Sequence, residues 1–496
     1  MPNLLCISVR FLQPMSHGRG DGGEPEWPPS PLRVFQALIA ASAARWNERA
    51  RLAYAAPALR WLERQSVPSI VAAVGERSQV KYRLYVPDNT GDLAAGTWSR
   101  GDATKIVKRT EKDIRPTHLK LGEGAVHYLW RLSDPNPEFE QHKEVLSAAA
   151  RSITHLGWGI DMVAANASVI TEADAKKLSG EHWRPSEGQS GTSLRVPVVG
   201  TLNALIDKHN SFLNRLGPEG FNPVPPLSAF QVVGYRRATD PPQRQYAAFT
   251  LLKPDAGGMR SFDTTRRTRE VAGMLRSAVA RVAHDQDRSN EWINVFVHGK
   301  TPDGLHPASG ETSPDRFQYL PLPTINFGLG RVETIRRVLI AAPSHCGKDI
   351  AWVRRTLSGE ELKNENGDSE ALLTILPGSD WVLQQYIAPS RIWSSVTPVI
   401  LPGHDDGNLD KASRLLKTAF VQAGYQKELL DQTVLEWRRV GFQAGVDLAC
   451  RYWPPENLNH HPRYHVLVTF PHPISGPLVV GSGRFRGFGL FAAFGS

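Results

Sequence analysis

The residues best suited to chemistry crowd the C-terminal stretch GPLVVGSGRFRGFGLF, where Gly476, Gly481, Gly483, Gly487 and Gly489 are interleaved with Arg484, Phe485, Arg486 and Phe488. Glycine lets a backbone approach a phosphate closely, arginine pairs with it bidentately, and an aromatic ring stacks on a base, so the pattern suits single-stranded RNA. The same letters also describe a glycine-rich turn ahead of a last strand. A dinucleotide or P-loop reading fits badly, because such a loop opens a helix and this one runs into an apolar strand. Two further segments are basic. KIVKRTEKDIRP supplies Lys105, Lys108, Arg109, Lys112 and Arg115, either an RNA-facing protrusion or a solvated charge run. TTRRTREVAGMLRSAVARVAH reads as a helix with Arg266, Arg269 and Arg276 at spacings of three and seven, while Val271, Met274, Leu275 and Val279 turn to a core. With 58 Lys and Arg against 49 Asp and Glu the net charge is +9, which favours a polyanionic partner.

These residues must be held by a sizeable scaffold. A chain of 496 residues exceeds what one hydrophobic core serves, so two or three domains are expected. Leu4 to Leu12 reads as a strand, HGRGDGGEPEWPPSP as a loop and Pro31 to Trp46 as a helix. The order returns at Tyr246 to Leu252, PDAGGMRSFD and Thr264 to His284, and again at Trp393 to Leu401, PGHDDGN and Leu409 to Gly424. Later strand-like runs, VKYRLYVP, RVLIAAP, RYHVLVTF and PLVVG, complete an α+β chain of several split β-α-β, ferredoxin-like modules. The Gly- and Ser-rich segment KKLSGEHWRPSEGQSGTSL and the later FNPVPP mark a junction. The expected organisation is a first domain over 1–190, a connecting segment over 191–233 and a second domain of two modules over 234–496. LSGEELKNENGDSE reads as an exposed acidic turn. Cys6, Cys346 and Cys450 are too widely spaced for a disulfide framework or a metal motif, and neither a leader nor an 18-residue apolar run is present. A cytoplasmic protein with no cofactor and no metal is the expectation.

Taken together, FLQPMSHGRG, EWPPSPLRVFQALIAA, YLPLPTINFG followed by IRRVLIAAP, SSVTPVILPG and the final GPLVVGSGRFRGFGLF resemble the fused Cas-five and Cas-six type subunit of type I-G CRISPR effectors, formerly type I-U. The resemblance spans nearly the whole chain. It implies a first domain like the subunit that grips the 5′ handle of the guide RNA and a second like the repeat-cutting nuclease built from two RNA-recognition folds. The partners it implies are CRISPR repeat RNA and the backbone and large subunits of a type I effector, with no membrane.

Nucleases of that kind need no metal: a 2′-hydroxyl attacks the adjacent phosphate, leaving a cyclic phosphate and a 5′-hydroxyl. The step requires a base, an acid and cations around the phosphorane, and histidine is the usual base. Among sixteen histidines, His298 in VHGKTPDG closes the strand-like apolar run WINVFV beside Lys300. His465 in PRYHVLVTF alternates with Tyr464 and Val466 on a strand near the Gly/Arg loop. His17 in SHGRG matches the family's loop histidine after the first strand, with Arg19 beside it, and is a candidate to bind RNA or cut it. His298 has a plainer reading as a satisfied surface or core residue and His465 as a sheet-surface histidine. His404 in PGHDDG reads as turn chemistry. The family pattern places histidines near SPDRFQYLPLP and before RVETIRRVLI, and this chain has neither. An endoribonuclease that stays on its product and a non-catalytic guide-RNA scaffold are therefore both open.

Overall fold

The computed structural model describes residues 3–20, 22–48, 52–86, 110–120, 124–133, 136–186, 191–217, 220–305, 315–326 and 328–495. The chain divides into two compact units, Met1–Ala238 and Thr239–Ser496, each mixing helices with antiparallel sheets. Among the described residues no helix is long and apolar enough to cross a membrane.

In the first unit β1 (Asn3–Phe11) is buried along nearly its whole length. The chain then forms α1 (Pro31–Arg45) and α2 (Ala56–Glu63), which cover the sheet, and returns as β2 (Ser69–Ala72). The proline opening α1 has no N–H to leave unsatisfied in the first turn, and Leu32, Phe35, Leu38 and Ser42 recur at three- and four-residue spacing on its buried side. Next come β3 (Ala125–Arg131), α3 (Pro137–Arg151), whose first turn is capped by the Asn136 side chain, and β4 (Val163–Thr171). Strands β5 (Glu181–Pro185), β6 (Thr192–Pro197) and β7 (Phe230–Arg237), with helix α4 (Thr201–Leu213), extend the sheet to the order β6-β7-β5-β2-β3-β1-β4. The buried Tyr128 and Tyr235 hydroxyls donate to the carbonyls of Pro29 and Pro68, at 2.9 and 2.8 Å, so neither ring leaves a polar atom stranded in the core.

The segment 191–233 is thus no connection. It supplies one strand, one helix and the start of another strand to the first sheet, because Leu194 and Val196 alternate inward and pack with Tyr235 and Leu202. The Gly and Ser residues before it conceal that alternation in the sequence.

The second unit holds two sheets. The first is built from β8 (Arg244–Leu252), α5 (Thr264–Asp285), β9 (Gln318–Asn326), β10 (Arg331–Pro343), α6 (Gly347–Thr356), β11 (Glu361–Lys363) and β12 (Ser369–Ile375), ordered β9-β10-β8-β12-β11. The acidic turn expected at 357–370 forms the hairpin between β11 and β12. After α7 (Trp381–Ile387), the second sheet contains β13 (Ser390–Ser395), β14 (Val399–Ile400), α8 (Leu409–Gln422), β15 (Val434–Arg438), β16 (Arg463–Ile474) and β17 (Phe491–Ala493). Its order is β14-β16-β13-β17, with β15 also on β16. No helix joins β16 to β17; the Gly/Arg stretch makes that connection, and PLVVG contributes only an isolated bridge between Val479 and Leu490 instead of a strand.

The run WINVFV is helical, not extended: Ile293–His298 winds on from Asn290–Trp292. Its buried residues Ile293 and Val297 stand four apart, and Trp292 meets Phe296 in a tilted ring pair at 5.1 Å while contacting Phe317 and Trp352.

Candidate nucleic-acid interface

The second unit gathers its cations around one histidine. Helix α5 is started by Asp263, whose side chain accepts from Arg266 N at 2.7 Å, and it buries Thr268, Val271, Met274, Leu275 and Val279. On its other side Arg266 is exposed, and Arg269 and Arg276 are half-buried. The Gly/Arg loop lies against this helix and β9. A Cβ on Gly487, which has a φ of +83°, would come within 2.8 Å of Pro321 Cδ and 2.9 Å of Thr268 Cγ2, so only glycine allows that approach. A second close approach occurs at Gly299, φ +67°, where an added Cβ would meet Arg316 Cδ at 2.2 Å. Arg316 therefore crosses directly over the loop that carries His298 and Lys300. Its guanidinium and that of Arg484 lie over the Phe485 ring, 4.5 and 4.7 Å from the centroid. Arg486 Nη1 donates to Asn457 Oδ1 at 3.2 Å.

The electrostatics tie these groups together. Burial lowers the His298 pKa first, and the positive charges of Arg276, Lys300, Arg316 and His284 lower it further. Burial likewise brings Arg316 down to about 10, helped by Arg486 and Arg276. Arg486 is lowered by burial and then by Arg276 and Arg269. Elsewhere in this unit guanidinia are paired with carboxylates, as in Arg337 with Asp380 at 2.8 Å and Arg260 with Glu370 at 2.7 Å. Among the described residues Arg276, Lys300 and Arg316 have no carboxylate partner, and Arg316 Nε is buried without any hydrogen bond. A half-buried imidazole held in its neutral form beside unneutralised cations is an arrangement that can take a proton from a hydroxyl while charge builds on a neighbouring phosphate.

Other expected residues sit differently. Arg484 is only 5% exposed, and its Nη1 donates to Gly481 O at 3.1 Å, so it props the loop and does not reach outward. Gly481 and Gly483 are packed against Ile400 and Phe488 and serve the loop's close packing. His465 is fully buried. Its Nδ1 lies 3.3 Å from Ser395 Oγ and its Nε2 3.0 Å from Asp447 O, so both nitrogens are engaged and the ring cannot face RNA. The segment carrying Asp447 and Tyr452 lies against the ring, Tyr452 edge-on at 5.8 Å, and so covers the sheet face that alternation alone would leave to solvent. Desolvation brings the His465 pKa down to about 4. The unfolded chain, with an ordinary value near 6.5, binds that proton first, so stability falls as pH drops through 6.5 and levels off below 4. The expected loss is about 3 kcal/mol over that interval, read by urea unfolding at a series of pH values. His465→Gln should flatten the slope.

In the first unit His17 is 2% exposed. Its backbone N–H and its Nδ1 both engage Asp161, with Nδ1 2.6 Å from Oδ1, while Nε2 is buried without a partner among the described residues and Tyr82 stands edge-on at 5.6 Å. This is a packed dyad under the surface and not an exposed RNA contact. Arg19 folds back so that its Nε donates to Gly23 O at 3.0 Å, and Arg33 Nη2 donates to Arg19 O at 2.6 Å. Lys112 lies on the strand Thr110–Ile114, paired with Tyr82–Val86, and Arg115 follows it, exposed. Lys108 and Arg109 lie outside the described residues. Sequence reasoning missed Asp161 and Arg316; the latter stands in SPDRFQYLPLP, where a histidine was sought and the arginine was passed over.

Asp315, His345 and Cys346 place three ligand-type atoms within 4.8 Å of one another. Asp315 Oδ1 and His345 Nε2 are already 2.7 Å apart as an ion pair, and burial, with Asp315 and Asp349, pushes the Cys346 thiol up to about 12.

The whole of this framework matches the family described as CRISPR-associated protein, GSU0054 family, over residues 6–493. The chain belongs to that family. It therefore has a role in a CRISPR system. No curated protein matches it. A solved structure, the crystal structure of a CRISPR protein from Archaeoglobus fulgidus, aligns over 38% of this chain and 72% of that one, at 10% identity and a TM-score of 0.22.

Proposed function

We propose that this CRISPR-associated chain binds the repeats of precursor guide RNA, cuts them without a metal by 2′-hydroxyl attack, and stays on the product as a subunit of a type I-G interference complex. In this reading the first unit is the Cas-five-like, handle-binding part and the second the Cas-six-like, repeat-processing part. His298 is the base. Arg276, Lys300 and Arg316 hold the phosphate and the charge that grows on it, with Arg486 and Arg269 leading the strand in. The observation that carries the reading is the set of cations around His298 that meet no carboxylate among the described residues, beside a Gly/Arg loop. A protein that leaves positive charge uncompensated in a half-buried place has a polyanion as its natural counterion.

The ferredoxin-like character of the modules is supported by strand order. Each set of four strands, in chain order, lies fourth-first-third-second: β4-β1-β3-β2, β12-β8-β10-β9 and β17-β13-β16-β15. That is the arrangement of two interleaved β-α-β units, the third set lacking its second helix.

The test is to incubate the full chain in excess chelator with end-labelled RNA of its own CRISPR repeat. A single cut leaving a 2′,3′-cyclic phosphate is expected. Tight binding with no cut would make the chain a guide-RNA scaffold, and failure to bind would overturn the reading.

A further inference from the structure

One large aromatic side chain stands at the edge of the cationic cluster. Trp453 is 57% exposed although Tyr452, Pro454 and Pro455 on either side are buried. Its backbone is fastened on several sides. Trp453 N donates to Thr265 O in the first turn of α5 at 3.4 Å, Arg463 Nη1 donates to Tyr452 O at 2.9 Å, and Arg269 Nη1 donates to Pro454 O at 3.3 Å. A few residues on, Asn457 accepts from Arg486 of the Gly/Arg loop. The loop carrying the indole thus bridges α5 and the Gly/Arg loop, with Arg269 and Arg486 both gripping it. Two prolines and three anchored carbonyl or amide groups leave the loop little freedom to fold the ring away, so the exposure of the indole is built in.

We propose that Trp453 is a stacking platform for one unpaired nucleobase of the bound RNA, with Arg269 and Arg486 meeting the phosphates beside it; this rests on the RNA-binding reading above. A nucleotide offers what the place lacks: a flat π face for the indole and an anion for the guanidinia, a side-chain length apart. An apolar protein surface laid over Trp453 would instead bury Arg486 beside the neutral Asn457 and leave Arg269 only the distant Glu456 carboxylate. Glu456, 3.8 Å from Arg269 and 92% exposed, is a weakly held counter-charge that a phosphate can displace. Stacking on a π face tolerates any base, so the residue recognises single-strandedness and not sequence.

The experiment measures binding of fluorescently labelled repeat RNA, single-stranded or annealed to its complement, to the full chain as wild type, Trp453→Ala, Trp453→Phe and Arg276→Ala/Arg316→Ala. Trp453→Ala should weaken single-strand binding roughly ten-fold, Trp453→Phe should recover most of it, and duplex binding should be equal for these three proteins. If Trp453→Ala binds like wild type while the arginine variant does not, the platform is wrong and the RNA reading stands. Equal weakness of the Ala and Phe variants would overturn base stacking, as would normal RNA binding by a Trp453→Ala chain that no longer joins its protein partners. If wild type binds no RNA, the RNA reading itself fails.

Discussion

Replacing His298 with alanine is expected to slow repeat cleavage by about 10²–10⁴-fold while changing RNA affinity little. The imidazole is held neutral by burial and by the charges of Arg276, Lys300 and Arg316, so it supplies a proton acceptor and hardly any attraction for phosphate. The same neighbours fix the pH profile. A base works only when deprotonated, and a pKa below 6.5 means that activity climbs with pH on the acid side of 6.5 and is already level at neutrality. Lys300→Ala, which removes one of the charges that lower the pKa, should shift that limb toward higher pH. Single-turnover cleavage of end-labelled repeat RNA across pH 4.5 to 8 reads both effects. A His298→Ala chain that cuts at the wild-type rate would remove the residue from the mechanism.

Arg276→Ala combined with Arg316→Ala should lower RNA affinity by about two orders of magnitude or more, since each charge-assisted hydrogen bond to a phosphate is worth roughly 1.5–3 kcal/mol. The slope of log affinity against log salt should shrink as well, by about 0.7 for each single-strand phosphate that the protein no longer neutralises. The fold should survive, because neither guanidinium closes an ion pair among the described residues. Arg337→Ala makes the control. It leaves the half-buried Asp380 without its counter-charge and should lower stability with no specific effect on RNA. If the Arg276/Arg316 chain retained the wild-type salt slope, the cationic cluster would not be the RNA site.

Much of the scaffold is legible in the sequence because its periods are strong. The strand, loop and helix at the head of each four-stranded set carry alternation followed by a three- and four-residue repeat, and the structure places elements there with ends shifted by a residue or two, except that the single strand expected over Trp393–Leu401 is two, Ser390–Ser395 and Val399–Ile400. Where period is lacking, tertiary contacts decide. Residues 293–298 are apolar at nearly every position, and the rings of Trp292, Phe317 and Trp352 select the helix. The interface is only partly legible. The arginines of α5 and the Gly/Arg loop announce themselves by spacing and composition. Arg316 does not, since it joins the cationic cluster only where Gly299 and Phe485, distant in the chain, make room for it and cradle its plane. His465 shows the converse: alternation places it on one face of β16, yet the Tyr452 ring and the Asp447 carbonyl, brought near it only in the folded chain, close that face too.

The Gly/Arg loop stands where a second helix would close the third set of strands, and its backbone is packed as tightly as a core, with Phe488 fully buried and Gly487 pressed on α5. On the proposed reading the same few residues therefore govern both whether the chain accumulates in a cell and whether it handles RNA. A mutational scan scored only by immunity would merge the two, and most hits in this loop would turn out to be poorly accumulating chains in place of inactive ones. Arg486, half-buried with its side chain bonded to Asn457 at the rim, is the position where a loss of function should come without a loss of protein.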